Sequence, residues 1–334
     1  MLTPALSGPF RSACSLAPLL GLVPKPDYRP DGISAVVRVR GEEEWIEACL
    51  FSIRHVADEI VVLDNGASHR TLKTLDGLRD TLGRTLRIEA CPHLDLFQLS
   101  NLGLAMARFR WVIRWDADFV AHTSGPGDIR QLRQYLLGLD PRRYYLVHVA
   151  AAEVAGDLFH QFADLRVRLD GQVHTASHWA RYVPVQRTLR GPEVATPARV
   201  LRKEPILRIT LESLRVPKFY RILRWERVAY FHVNVKSGHH MLLRHFWLEW
   251  LRDAEAGDFP TLESYALAQI RERWGIKHMD DAIRHFMGEY CRCLVPFDPG
   301  RCGPYPELLR PYLDRPGYRV ESRDGHIVGR TEVP

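Results

Sequence analysis

The chain is predicted to fold as an α/β protein on a mostly parallel sheet, followed by a mainly helical C-terminal extension. Three observations carry this. Short β-branched runs alternate with amphipathic runs between residues 33 and 118. Acidic residues stand at the carboxyl ends of those β-branched runs. Helical periodicity takes over after His239. Strand–helix alternation of this kind implies parallel strands joined by right-handed crossovers, with ligand groups gathered at the strand ends.

Ile33-Ser34-Ala35-Val36-Val37-Arg38-Val39-Arg40 reads as a buried strand stopped by Gly41. Glu42-Glu43-Glu44 places acids on the first turn of the next helix, where the macrodipole favours them, and Trp45, Ile46, Cys49, Leu50 and Ile53 supply its apolar stripe. Glu59–Leu63 is a second strand ending in Asp64-Asn65-Gly66, a turn signal. His69–Leu82 is expected to be helical, Thr85–Ala90 a strand and Leu96–Phe109 a helix. Trp111–Trp115 is a fourth strand closed by Asp116-Ala117-Asp118. Beyond Pro141 the pattern loosens. Tyr145–Val154 reads as a strand, helices are expected at Met241–Ala254, Leu262–Trp274 and Met279–Cys291, and the Pro-rich stretch 296–316 reads as a wrapping tail.

Composition limits the function classes. With 46% apolar and 26% charged residues, the 334-residue chain can bury a real core and is neither disordered nor collagenous. A net charge of +6 suits an anionic ligand without requiring nucleic acid. Six cysteines form no disulfide-scaffold pattern, which favours a reducing, cytoplasmic setting. Leu16–Val23 is the one apolar run near the start; Pro18 interrupts it, and it is short for a secretory signal. No stretch has the roughly eighteen unbroken apolar residues of a membrane span, so a soluble protein is expected.

The acids at strand ends carry the chemistry. In extended chain, residues i and i+2 point to one side, so Asp116 and Asp118 can address one site. Oxygen ligands there suit Mg²⁺ or Mn²⁺ when phosphate oxygens complete the coordination. A lone Asp-x-Asp is common and is often a solvated turn; Asp64, at another strand end, strengthens the functional reading, although it could instead close an Asx-turn with Asn65-Gly66. Cys291-Arg292-Cys293 with Cys302 lacks paired zinc spacing. His239, His240 and His245 read as solvated or capping residues, and Trp247 and Trp250 as core.

Three segments, ISAVVRVRGEEEWIEACL at 33–50, DEIVVLDNG at 58–66 and WVIRWDADFV at 111–120, resemble the nucleotide-binding half of family 2 glycosyltransferases with the GT-A fold. The resemblance implies transfer of a sugar from a nucleotide-sugar donor, UDP-linked by family weighting, to a small-molecule or glycan acceptor, with inversion and a divalent metal. It places Arg38, Arg40 and Glu42 in the first nucleotide-contacting loop, Asp64 at the base, Asp116 at the ribose or the metal's water shell, and Asp118 on Mn²⁺ or Mg²⁺. Gly41 departs from the Asn frequent before that glutamate, which leaves the donor's identity open. Tyr230–Ser237 (YFHVNVKS) resembles a late segment in which some relatives supply a metal-binding histidine, here His232, and a cation for the diphosphate, here Lys236.

An inverting transfer needs a base for the acceptor hydroxyl. Asp157, after Gly156, is the preferred candidate, with Glu153 and Asp164 as rivals. The expected organisation is an irregular arm at 1–30, a donor-binding half at 31–140, an acceptor-side half at 141–237 and a helical extension at 238–334. Nothing in the sequence fixes the oligomeric state. A nucleotidyltransferase would share such a sheet but usually shows a Gly-rich basic loop after the first strand, where this chain has acids. A polyanion-binding protein would spread many basic residues over its surface, whereas nine of them fall within 199–227.

Overall fold

The computed structural model describes residues 14–26, 29–40, 44–92, 94–163, 167–183, 208–211, 213–253, 259–323 and 326–333. The elements run β1 (Ile33–Val39), α1 (Ile46–Ile53), β2 (Glu59–Asp64), α2 (His69–Leu82), β3 (Leu86–Ala90), α3 (Leu96–Met106), β4 (Trp111–Asp116), β5 (Phe119–Ala121), α4 (Ile129–Leu137) and β6 (Tyr145–Ala155). They continue with β7 (His160–Phe162), β8 (Arg168–Thr175), β9 (Arg181–Tyr182), β10 (Arg208–Leu211), β11 (Leu214–Pro217), β12 (Arg221–Asn234), α5 (Gly238–Asp253), α6 (Leu262–Trp274) and α7 (Met279–Arg292). The chain ends with β13 (Leu294–Pro296), α8 (Pro299–Cys302), a 3₁₀ turn (Glu307–Leu309), α9 (Arg310–Asp314), β14 (Tyr318–Arg323) and β15 (His326–Glu332).

An eight-stranded sheet has the order β3-β2-β1-β4-β8-β6-β12-β5. Its first four strands are parallel, and β8 then runs antiparallel to both β4 and β6. The α/β class and the parallel donor-side strands expected from the sequence are therefore present. The strand alternation decides what each face buries. Ile33, Ala35, Val37 and Val39 of β1 join α1, α2 and α4 in one apolar core, while Val36 turns to the other face with Val61, Leu63, Leu99 and Val112. On that second face, α3 lies close to the sheet because Gly103 has no side chain: a Cβ there would come within 2.3 Å of Val36 Cγ1.

Local signals set the helix ends. Asp95 and Gln98 form a capping box at the start of α3, Ser68 caps α2 and Asp128 caps α4. Glu59 is a buried carboxylate where β2 begins. It accepts from Ser34 Oγ (2.6 Å), from Arg108 N (2.6 Å) and from Arg108 Nε (2.6 Å). Burial pushes its pKa up, but the bonds from Ser34 and Arg108 outweigh this and hold it below the ordinary glutamate value. Removing a partner from such a buried charge typically costs about 3–5 kcal/mol.

The chain divides into two compact units. The first is Met1–Ala152, Arg166–His232 and Cys302–Leu308; the second is Glu153–Leu165, Val233–Arg301 and Leu309–Pro334. The second unit holds α5–α7 and, beyond them, the antiparallel hairpin β14–β15. That hairpin follows the stretch 296–316 read as a wrapping tail and adds two strands to an extension expected to be mainly helical. Prolines at 296–316 mask its signal, since the alternation of Tyr318, Val320 and Ser322 starts only after the last of them.

Candidate active site

The site begins with strand register. The parallel pairing of β1 with β4 sets Arg38 opposite Asp116, and that of β1 with β2 sets Val39 opposite Asp64. Both acids therefore stand at the carboxyl rim, on the parallel strands either side of β1. After Ala117 and Asp118, β5 pairs antiparallel with β12, so that Phe119 faces His232. This pairing joins positions more than a hundred residues apart, and His232 Nε2 lies 3.3 Å from Asp118 Oδ2. Phe119 braces the imidazole edge-on, with ring centroids 5.2 Å apart. Asp118 is 4% exposed.

Asp116 and Asp118 differ in their surroundings. Asp116 accepts a charged hydrogen bond from Arg38 Nη2, while Arg38 Nη1 donates to Ser100 Oγ of α3 at 3.1 Å. Burial would raise the Asp116 pKa; Arg38 and then Arg114 overcome it, so the carboxyl stays below the usual aspartate value despite the charge of Asp118. Behind both lies Cys49, fully buried, whose Sγ is 3.5 Å from the Asp116 carbonyl. Burial first, and the charge of Asp118 second, push this thiol well above its ordinary range, so it is an inert neutral wall.

Asp64 Oδ1 accepts from Gly66 N (3.0 Å) and Ala67 N (2.7 Å), which makes it the Asx-turn acceptor after β2. Arg40 is exposed just past β1. Glu42 and Asp164 lie outside the described residues, as do 199–207 and Glu212 of the basic stretch.

Two other expected site residues belong to the second unit. Lys236 is 2% exposed there. Asp157 is 1% exposed and its oxygens are committed: Oδ1 accepts from Phe159 N (2.8 Å) and lies 2.7 Å from His160 Nδ1, while Oδ2 accepts from Val320 N (2.7 Å). These bonds tie the β7 turn to the terminal hairpin, so both oxygens of the expected base Asp157 already accept hydrogen bonds. The rival Glu153 has Asn234 Nδ2 at 3.3 Å from Oε1, and Asn234 Nδ2 also meets the Tyr290 hydroxyl at 3.3 Å.

The residues around Asp118 can hold a divalent ion in part. A buried carboxylate and an imidazole form an oxygen–nitrogen donor set suited to Mn²⁺ or Mg²⁺. Among the described residues, no group of three or more His, Cys, Asp or Glu converges on one point. An ion held there would take its other ligands from substrate oxygens and water. The sequence did not reveal Ser100 as Arg38's second partner. Nor did it reveal the partners by which the stretch read as a wrapping tail is held, Glu307 accepting from Thr123 Oγ1 (3.0 Å) and Ser124 Oγ (2.7 Å).

The parallel strands thus carry carboxylates along their carboxyl rim, the edge at which open α/β sheets take ligands, with a histidine beside one of them. Residues 34–133, less than a third of the chain, match the family model for glycosyl transferase family 2. No curated protein matches the sequence. Among solved structures, a mycobacterial protein is 21% identical, with 44% of this chain and 46% of that one covered and a TM-score of 0.29. Glucosyl-3-phosphoglycerate synthase from Mycobacterium tuberculosis, solved with Mn²⁺, UDP and glucosyl-3-phosphoglycerate, is 23% identical, with 38% and 45% covered and a TM-score of 0.29. S. aureus TarS 1-349 in complex with UDP-GlcNAc is 12% identical, with 89% and 95% covered and a TM-score of 0.38. The chain spans less than half the length of the first two, and the bound molecules are properties of those proteins.

Proposed function

We propose that this protein is a glycosyltransferase that moves a sugar from a nucleoside-diphosphate-sugar, a UDP-sugar, to a hydroxyl of a small-molecule or glycan acceptor, with inversion. The observation that carries the reading is the meeting of buried Asp118 with His232, on the rim where Asp64 and Asp116 also end. Asp118 and His232 would hold Mn²⁺ or Mg²⁺, which when bound supplies positive charge for the diphosphate leaving group.

The chain's own residues do the rest. Asp64 and Asp116 accept hydrogen bonds from the base and ribose, Arg40 and Glu42 flank the donor, and Arg38 holds Asp116 in place. Lys236 is the proposed cation for the departing diphosphate. The acceptor oxygen attacks the anomeric carbon, the bond from that carbon to the diphosphate breaks, and a carboxylate takes the hydroxyl proton. Glu153, one of the rival acids, is the proposed base, since both oxygens of Asp157 accept hydrogen bonds from backbone amides. Six free cysteines support a reducing, cytoplasmic setting.

The test is a thermal-shift panel of nucleoside diphosphates and nucleotide-sugars, with and without Mn²⁺, followed by product analysis. Stabilisation by UDP that depends on Mn²⁺, with UDP released on turnover, is the expected result. Release of pyrophosphate would identify nucleotidyl transfer instead, and a panel with no shift would remove the donor site.

A further inference from the structure

The proposed sugar transfer assigns no role to two sequence features: the apolar run Leu16–Val23 and the basic stretch that ends at Arg227. The first unit brings them onto one apolar cluster. Ala17 and Val23 pack against the cluster built from Tyr144, Tyr182, Leu214, Val216, Phe219 and Tyr220, and the Tyr144 hydroxyl donates to the Pro24 carbonyl at 3.3 Å. The run is therefore anchored at both ends.

Its backbone ends as a helix does. Leu20 N donates to Leu16 O (3.1 Å), Gly21 N to Pro18 O (3.4 Å) and Leu22 N to Ala17 O (2.9 Å), with Gly21 at φ +70°. This is the Schellman stop, in which glycine takes the left-handed conformation and the next apolar residue normally folds back onto the last turn. Leu22 does not: it is 73% exposed, beside Leu20 at 67% and Leu16 at 40%. Among the described residues, seven large apolar side chains are exposed, and three of them fall within these seven positions.

Charge surrounds the same cluster. Between Leu214 and Arg227 the chain carries Arg215, Lys218, Arg221, Arg224 and Arg227 against one acid, Glu226. Arg215 pairs in register with exposed Arg181 across β11 and β9, Arg221 N donates to the Tyr144 carbonyl at 2.9 Å, and Arg221 and Arg224 are exposed. Lys25 is exposed just beyond the leucines.

We infer that this face docks on an anionic membrane surface, with Leu16, Leu20 and Leu22 entering the headgroup boundary and the neighbouring cations meeting acidic lipid. Apolar insertion and cationic attraction together give an attachment that neither gives alone. The charge argues against a second copy of this chain as the occupant, because pairing the face with itself would bring like charges together. A nucleic acid would account for the cations but leave the leucines unexplained.

The experiment is co-sedimentation of the full chain with phosphatidylcholine vesicles, with and without phosphatidylglycerol, at low and high salt. Binding is expected to the anionic vesicles only and to weaken with salt. L20S/L22S should lower the partition roughly tenfold or more, with an unchanged circular dichroism spectrum. R221E/R224E should lower it as well, and flatten the salt dependence. Three results would overturn the inference: no binding to anionic vesicles, equal binding by wild type and L20S/L22S, or loss of a dimer by L20S/L22S in ultracentrifugation without any vesicle binding.

Discussion

Arg38 crosses from β1 to grip the carboxylate of Asp116 on β4, and its other nitrogen donates to Ser100, whose Oγ donates in turn to the Leu96 carbonyl at 2.6 Å. Both terminal nitrogens of the guanidinium thereby have partners within the protein, so under the proposed function Arg38 would act on a nucleotide through Asp116. A double-mutant cycle tests this. In UDP titrations, R38M and D116N should each weaken binding about 10- to 100-fold, the scale of one charge-assisted hydrogen bond. R38M/D116N should be no worse than the weaker-binding single variant. R38K, which keeps the charge but not the fork, should recover only part of the loss. Additive losses would show that Arg38 touches the nucleotide itself.

The partnership of Asp118 with His232 makes a separate claim. D118N should abolish the Mn²⁺-dependent part of the UDP thermal shift while the protein alone melts as wild type does. H232A should keep that dependence but move the Mn²⁺ midpoint up by roughly tenfold or more, the scale on which altered metal surroundings are felt. A midpoint unaltered in H232A takes the histidine out of the site.

Much of the β1–β4 region is legible in the sequence, because its information is local. β-Branched runs, caps such as Asp95 and acids at strand ends each speak within a few residues, and His69–Leu82 has the boundaries its periodicity predicts. The contacts of Asp116 and Asp118 are not local. No pattern near Arg38 announces that its partner lies 78 residues on, or that Phe119 will face His232 across a strand pair. Asp157 illustrates the converse: an acid after a strand has the look of a base, and only the distant Val320 amide reveals a tether.

That tether separates stability from chemistry. In D157N an amide nitrogen can replace the oxygen that receives Val320 N–H, setting donor against donor in a buried place. The expected cost is about 1–3 kcal/mol in chemical denaturation, with turnover and its pH profile kept where the variant is folded. E153Q should do the reverse, melting near wild type while the transfer rate falls by roughly 10²- to 10⁴-fold. A D157N protein of wild-type stability that transfers no sugar would restore Asp157 as the base.

His174 of β8 makes stability itself depend on pH. The residue is fully buried, its Nδ1 lies 3.1 Å from the Thr175 carbonyl, and burial pushes its pKa down to about 4. An unfolded chain protonates histidine near pH 6.5, so between about 6.5 and 4 the unfolded state takes up a proton that the native state refuses. The stability tied to neutral His174 is therefore complete above the unfolded value and drains away as pH falls through that window. By pH 4 the loss is on the order of 3 kcal/mol. Urea denaturation of wild type and H174Q at pH near 7 and near 4.5 isolates it, because the other titrating groups contribute to both proteins. Wild type should lose more stability on acidification than H174Q does; a wild-type–variant difference that stays constant with pH would mean that His174 titrates as it does in the unfolded chain.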